Sequence, residues 1–258
     1  MDKHIGAQFF TIRDSIQTVD GFRESCRKIH DIGYKTVQIS GTPLEARDMR
    51  KILDEYGLKA VTSHRAFSDF TDRIDWLMDY NKTLGCDLCG LGMMPTEYGE
   101  NAKTLAEFIK KTDKICEELE KENMYFGYHN HAFEFAKTDG KTIMEYLVAE
   151  TNPKCFNFIV DTFWVQVGGK NPPEVIEKLG KRAMAVHFKD FRVDKNSWSI
   201  PAMAEVGEGN LDWDKITQAC EKAGTRWALV EQDTCCGNPF DSLRISYDYL
   251  KSKGFCRK

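Results

Sequence analysis

Apolar residues along this chain follow two periods that take turns. Short, nearly continuous apolar runs, such as Phe-Asn-Phe-Ile-Val-Asp at 156–161, Met-Ala-Val-His at 184–187 and Trp-Ala-Leu-Val-Glu at 227–231, have the length and character of strands buried on both faces. The stretches between them repeat apolar residues every three or four positions with charged residues in the gaps, which predicts helices with one buried face. The pattern predicts strands at 5–10, 36–40, 58–63 and 87–91, a central strand in the apolar run that starts at Met124, and strands at 156–161, 184–187 and 227–231. Helices are expected at 20–30, 43–56, 68–84, 97–122, 142–149, 172–179, 211–223 and 239–253. Local chemistry sets their ends: Asp20 as an N-cap, Pro43 and Pro172 in first turns, and Gly33, Gly57 and Gly85 as stops.

Eight strands alternating with eight helices demand a parallel sheet with helical crossovers. In roughly 250 residues this matches a closed (β/α)8 barrel of the α/β class, one domain over residues 1–258, better than an open doubly wound sheet. No glycine-rich phosphate loop of the G-x-G-x-x-G kind follows the first strand, which argues against a dinucleotide fold.

A barrel of this kind carries its chemistry at the C-terminal ends of the strands. The early strands end near Gln8, Gln38 and His64, with Arg13 close by, whereas the later ones are apolar up to His129 and His131, Asp161, His187 and Glu231. In a strand from Met124, alternation turns Gly127, His129 and His131 to one side, with Glu134 just beyond. One histidine at a strand end is ordinarily solvated or bonded to a carbonyl. Four late strands delivering imidazoles and carboxylates to one rim instead predict a divalent-metal site that draws on His129 or His131, Asp161, His187 and Glu231. Mixed nitrogen and oxygen donors suit one Mn, Mg, Co or Zn ion without separating them.

Composition narrows the field. A net charge of −4 offers no basic field for nucleic acid, and no apolar run is long enough to span a membrane. The N-terminus shows no secretory apolar segment, so the expected location is the cytoplasm. Nine cysteines without a disulfide spacing are expected as reduced thiols; Cys86 and Cys89, the single C-x-x-C, lie in a predicted strand and suit burial better than zinc or redox work. The oligomeric state stays open, a homo-oligomer included.

The motifs Gly-Tyr-His-Asn-His-Ala-Phe-Glu-Phe (127–135), Val-Asp-Thr-Phe-Trp (160–164), Val-His-Phe-Lys-Asp-Phe-Arg (186–192), Val-Gly-Glu-Gly-Asn-Leu-Asp-Trp (206–213) and Leu-Val-Glu-Gln-Asp (229–233) resemble the xylose isomerase-like TIM barrels, the sugar phosphate isomerase/epimerase family. The resemblance covers nearly the whole chain. It implies a divalent cation held by Glu, Asp, His and Glu on successive late strands, with two carboxylates moving a proton next to a carbonyl. Asp161, His187 and Glu231 match three of those ligands, while His129 stands where the first carboxylate is expected. Glu134 resembles the substrate-binding Glu of ketose epimerases and restores a carboxylate if its loop folds over the rim.

The leading expectation is therefore metal-dependent isomerisation or epimerisation of a carbohydrate through an enediolate, with Glu231 and either Glu134 or His131 as catalytic groups. The alternative is a lyase acting on a 3-oxo-sugar, 3-oxo-glycoside or inosose, because the same cation and base produce the same enolate. An apurinic-site nuclease and a non-catalytic sugar-binding subunit rank below both. His64, Lys189, Arg192 and Trp164 are expected to bind the sugar, although an ion pair between Lys189 and its neighbour Asp190 is an equal reading. Trp198 and Phe67 are candidate walls, Glu208 a candidate substrate contact beside two turn glycines, and Asp233 a candidate partner of the ligands.

Overall fold

The computed structural model describes residues 5–194 and 201–255; Trp198 lies outside the described residues. Eight parallel strands close a barrel: β1 (Ile5–Gln8), β2 (Thr36–Ile39), β3 (Lys59–Arg65), β4 (Leu88–Leu91), β5 (Tyr125–His129), β6 (Phe156–Asp161), β7 (Ala183–Phe188) and β8 (Trp227–Val230). They neighbour one another in sequence order, and β8 pairs with β1 through Ile5 opposite Ala228. The expected fold is thus the observed one. Strands buried throughout explain why their sequences are apolar on both faces: outward residues such as Phe126, Phe156 and Phe158 pack under the helices, while Leu88, Ile159, Met184 and Ala185 fill the barrel floor. Gly127 faces that floor, where an added Cβ would stand 3.0 Å from both Ile159 and Leu88, so a larger residue would displace the packing.

Several element bounds differ from expectation, each for a local reason. The first helix (Val19–Ile32) is capped by Thr18, whose hydroxyl accepts from Gly21 N at 3.1 Å, and not by Asp20. The second begins at Ala46, past Pro43. The stretch 68–84 is two helices, Phe67–Asp72 and Ile74–Leu84, because Arg73 leaves the helical region at φ −141°. The long fifth-strand crossover starts only at Ala102, where Asn101 and Thr104 form a reciprocal capping box. The first strand stops at Gln8 and not at residue 10, because a 3-10 helix follows at Phe9–Ser15. Other small elements that escaped the pattern include a helix at Thr162–Val167 and antiparallel hairpins pairing Lys137–Thr138 with Lys141–Thr142 and Asp190–Val193 with Pro201–Ala204. Among the described residues, no helix is long and apolar enough to cross a membrane.

Candidate active site

The C-terminal ends of β5 to β8 bring His129, Asp161, His187 and Glu231 together, all buried, with one ligand atom of each lying within 4.8 Å of the others. Each side chain is oriented by a second contact. His129 Nδ1 donates to Gly92 O (2.8 Å), which leaves Nε2 facing Asp161 Oδ2 at 3.3 Å. Asp161 divides its oxygens: Oδ1 caps the helix at Thr162–Val167 by accepting from Trp164 N (3.0 Å), and Oδ2 faces the cluster. Its own N–H is held by Asn130 Oδ1 (3.0 Å). His187 Nε2 lies 2.9 Å from Gln38 Oε1, and its Nδ1 lies 2.9 Å from Glu231 Oε2. That second approach lacks hydrogen-bond geometry, so Nδ1 is a buried nitrogen without a hydrogen-bond partner.

A buried imidazole lone pair set against a carboxylate oxygen is unfavourable unless a proton or a cation lies between them. Two imidazoles with the far nitrogen tied to an oxygen acceptor and the near one turned to carboxylates form a donor set that fits a divalent cation, as ligands oriented by outer partners do. This cluster can hold such an ion. Its ionisation agrees: burial would raise Glu231, but the Lys189 ammonium beside it holds it well below the usual carboxylate range. Burial likewise opposes the Asp161 charge, and Lys189 and His129 override it to keep that carboxyl low.

Lys189 is buried at the centre of the carboxylates, 2.8 Å from both oxygens of Asp233, 3.2 Å from Asp161 Oδ2 and 3.4 Å from Glu231 Oε2. It makes no pair with Asp190. Alternation explains the difference: Lys189 follows His187 inward, whereas Asp190 turns out and accepts from the backbone N–H of Phe191, Gly207, Gly209 and Leu211 and from Trp213 Nε1. The glycines flanking Glu208 serve this loop. Gly207 has φ +95°, a Cβ on Gly209 would meet Asp190 Oδ1 at 2.3 Å, and Glu208 itself is exposed.

Above the cluster opens a cavity of about 360 Å³, lined by His64, His129, His131, Lys189, Glu231 and Asp233, with Phe10, Ser40, Arg65, Ala66, Gly92 and Met93 completing the wall. The His64 ring packs 5.0 Å from that of His129, and the His131 ring 4.7 Å from it. His64 Nε2 and His131 Nδ1 are buried without hydrogen-bond partners. Burial, then the neighbouring His129, holds His64 well below the usual imidazole range and pushes His131 down to about 3, so both rings face the cavity neutral.

Not every expected residue arrives. Glu134 does not fold over the rim: it is fully buried, and its oxygens are taken by Tyr128 OH (2.7 Å) and His131 N (2.8 Å), the latter fixing the turn after β5. Trp164 stands behind the wall, 5.5 Å from the His131 ring and with Lys189 Nζ 5.3 Å from its own. Arg192, on the hairpin, lies 3.7 Å from Cys236 Sγ and does not line the cavity. Phe67 packs against Tyr98 and Phe108 in the core. The roles of Gln38, Gly92 and Asn130 as partners of the ligands were not legible, since Gly92 and Asn130 act from just beyond the ends of neighbouring strands and Gln38 reaches across the barrel.

Residues 26–253 match the xylose isomerase-like TIM barrel family, and the chain belongs to it. The inosose dehydratase of Clostridium beijerinckii is 25% identical over 174 residues, 60% of this chain and 55% of that protein, and the inosose dehydratase of Clostridium tetani is 27% identical over 169 residues, with the same coverage. The chain spans about half the length of these dehydratases. Among solved structures, a sugar phosphate isomerase/epimerase from Parabacteroides distasonis superposes with a TM-score of 0.78 at 20% identity, covering 98% of this chain and 99% of the other. A probable 3-DHS dehydratase from Bacillus anthracis gives 0.75 at 14% identity, with 96% and 98% covered. At those identities the structural likeness speaks for the fold.

Proposed function

We propose that this protein is a divalent-metal-dependent lyase that removes water from a neutral, polyhydroxylated cyclic ketone of the inosose or 3-oxo-sugar class. The observation that carries this reading is the shortage of carboxylates at the cavity. With His129 in the ligand set and Glu134 turned away, the only carboxylates lining the wall among the described residues are Glu231, a cluster member, and Asp233, bonded to Lys189. Epimerisation needs two proton carriers on opposite faces of the reacting carbon; an elimination can proceed with one. The similarity to inosose dehydratases supports the same choice.

Asp161, Glu231, His129 and His187 would hold the cation, which when bound supplies Lewis-acid polarisation of the ketone. The neutral imidazole of His131, which lines the cavity, takes the proton from the carbon next to the ketone. The same imidazolium then returns that proton to the hydroxyl leaving the adjacent carbon, so that one C–H and one C–O bond break, a C=C bond forms and one water is released. Lys189 keeps three carboxylates from repelling one another at the floor of the cavity. Because its ammonium is thus committed, it is not free to bind a phosphate, which favours an unphosphorylated substrate.

The test is incubation with an inosose in deuterated water, with Mn²⁺ or with a chelator, read by mass spectrometry and proton NMR. Loss of one water that depends on the ion is the expected result. Epimer formation without water loss would instead favour the isomerase or epimerase reading, and a strong preference for phosphorylated ketones would reject the substrate class.

A further inference from the structure

Gln38 sits in β2, fully buried, and reaches across the barrel lumen to His187 in β7, a strand that β2 does not neighbour in the sheet. Its Oε1 lies 2.9 Å from His187 Nε2, while its own Nε2 is buried without a hydrogen-bond partner. An amide can offer either end to an imidazole, and the two choices have opposite consequences. With oxygen toward the ring, Nε2 carries the proton and Nδ1 keeps its lone pair. With nitrogen toward the ring, Nδ1 must carry the proton and donate it to Glu231. The second arrangement needs a hydrogen bond between Nδ1 and Glu231, and although the atoms are 2.9 Å apart the hydrogen-bond geometry is missing.

We propose that Gln38 is a positioning residue that fixes the Nε2–H tautomer of His187 and thereby presents Nδ1, as a bare lone pair, to Asp161 and Glu231. The inference rests on reading the four-residue cluster as a cation site, and its geometric basis is the commitment of the Gln38 oxygen to the ring. An uncharged acceptor orients the ligand without adding a negative charge to a lumen that already holds three carboxylates around Lys189. Gln8, opposite Gln38 in the β1–β2 register, provides an internal comparison. It is equally buried and its Nε2 is likewise unpartnered, but its Oε1 accepts from Phe10 N at 3.1 Å and not from a ligand ring.

The test uses the full chain and four proteins: wild type, Gln38→Met, Gln38→Glu and Gln8→Met. Histidine side-chain ¹⁵N spectra, recorded where the ring holds a single proton and assigned by single replacements, report the tautomer of His187; calorimetric titration reports affinity for Mn²⁺. Wild type, Gln38→Glu and Gln8→Met are expected to show the Nε2-bound proton. Gln38→Met loses that preference and binds Mn²⁺ about 10- to 100-fold more weakly, the usual effect of removing an outer partner of a ligand. A proton on Nδ1 in wild type, or an unchanged tautomer in Gln38→Met, overturns the inference. Wild type that takes up no Mn²⁺ while His187 retains its Nε2 proton would refute the cation site and leave the assignment of Gln38 standing.

Discussion

Replacing His129 with glutamate places a carboxylate where the family pattern has one, and the structure allows its effect to be sized. The ligand atoms of the cluster lie within 4.8 Å of one another, so the new charge would face Asp161 and Glu231 at that range or closer. At an effective dielectric near 20, each such pair costs at least roughly 3 kcal/mol, offset in part by Lys189. The penalty has a ceiling. A glutamate that is too uncomfortable takes up a proton, and at pH 7 that costs about 4 kcal/mol for a group whose ordinary pKa is near 4.3. The variant also loses the bond from His129 Nδ1 to Gly92 O. We therefore expect the metal-free variant to be less stable by about 2 to 4 kcal/mol, a melting point lower by roughly 5 to 15 °C for a chain of this size. Excess Mn²⁺ should reverse the order, because a cation stabilises the folded state according to its affinity and the added carboxylate raises that affinity. The assay is thermal unfolding with Mn²⁺ and with chelator, in parallel for both proteins. A variant that melts with wild type under chelator, and that gains no more than wild type from Mn²⁺, would place His129 outside the cation site.

Two further expectations concern groups that hold the site in shape. Asp190→Asn leaves several of five donors facing an amide N–H₂, and because most belong to a partly exposed loop that water can reach, the expected loss is about 2 to 4 kcal/mol, with faster amide exchange at Gly207, Gly209 and Leu211; unfolding by urea within 0.5 kcal/mol or so of wild type would contradict it. Glu134 is pushed up to about 7 by burial, against the bond from Tyr128 that lowers it. A carboxyl raised on folding favours the protonated native state, so its contribution is greatest below its unfolded value near 4.5 and is lost as pH rises through 7, a change of about 3 kcal/mol. Glu134→Gln, which mimics the neutral acid, should flatten the stability profile between those pH values; a profile as steep as that of wild type would refute the shift.

The barrel was legible because parallel strands covered on both sides are largely apolar, and the last four strands place His129, Asp161, His187 and Glu231 where a strand end meets the cavity. The same rule made His129, Asp161, His187 and Glu231 readable as a group. What alternation could not supply was direction after a strand stops. Glu134 and His131 both follow β5 closely, yet one turns inward to Tyr128 and the other faces the cavity, a choice made by the bond from His131 N. Lys189 and Asp190 show the reverse case. Adjacency suggested an ion pair, whereas the two-residue period, applied one position further, separates them. Gln38 lies 149 residues from His187, and nothing local in an apolar strand announces such a partner.

The Asp190 clamp bears on how this scaffold can change. Gly207, Gly209, Leu211 and Trp213 are tethered to a single carboxylate that leaves the end of β7, so the chain re-enters the barrel wall at a fixed point whatever precedes Val206. A change made on the hairpin side of Val206 would then be absorbed before the helix at Trp213–Ala223 begins, without altering the register that delivers Glu231 to the rim. In engineering terms the clamp is a stop, which insulates the chemistry at the rim from what is altered upstream of it.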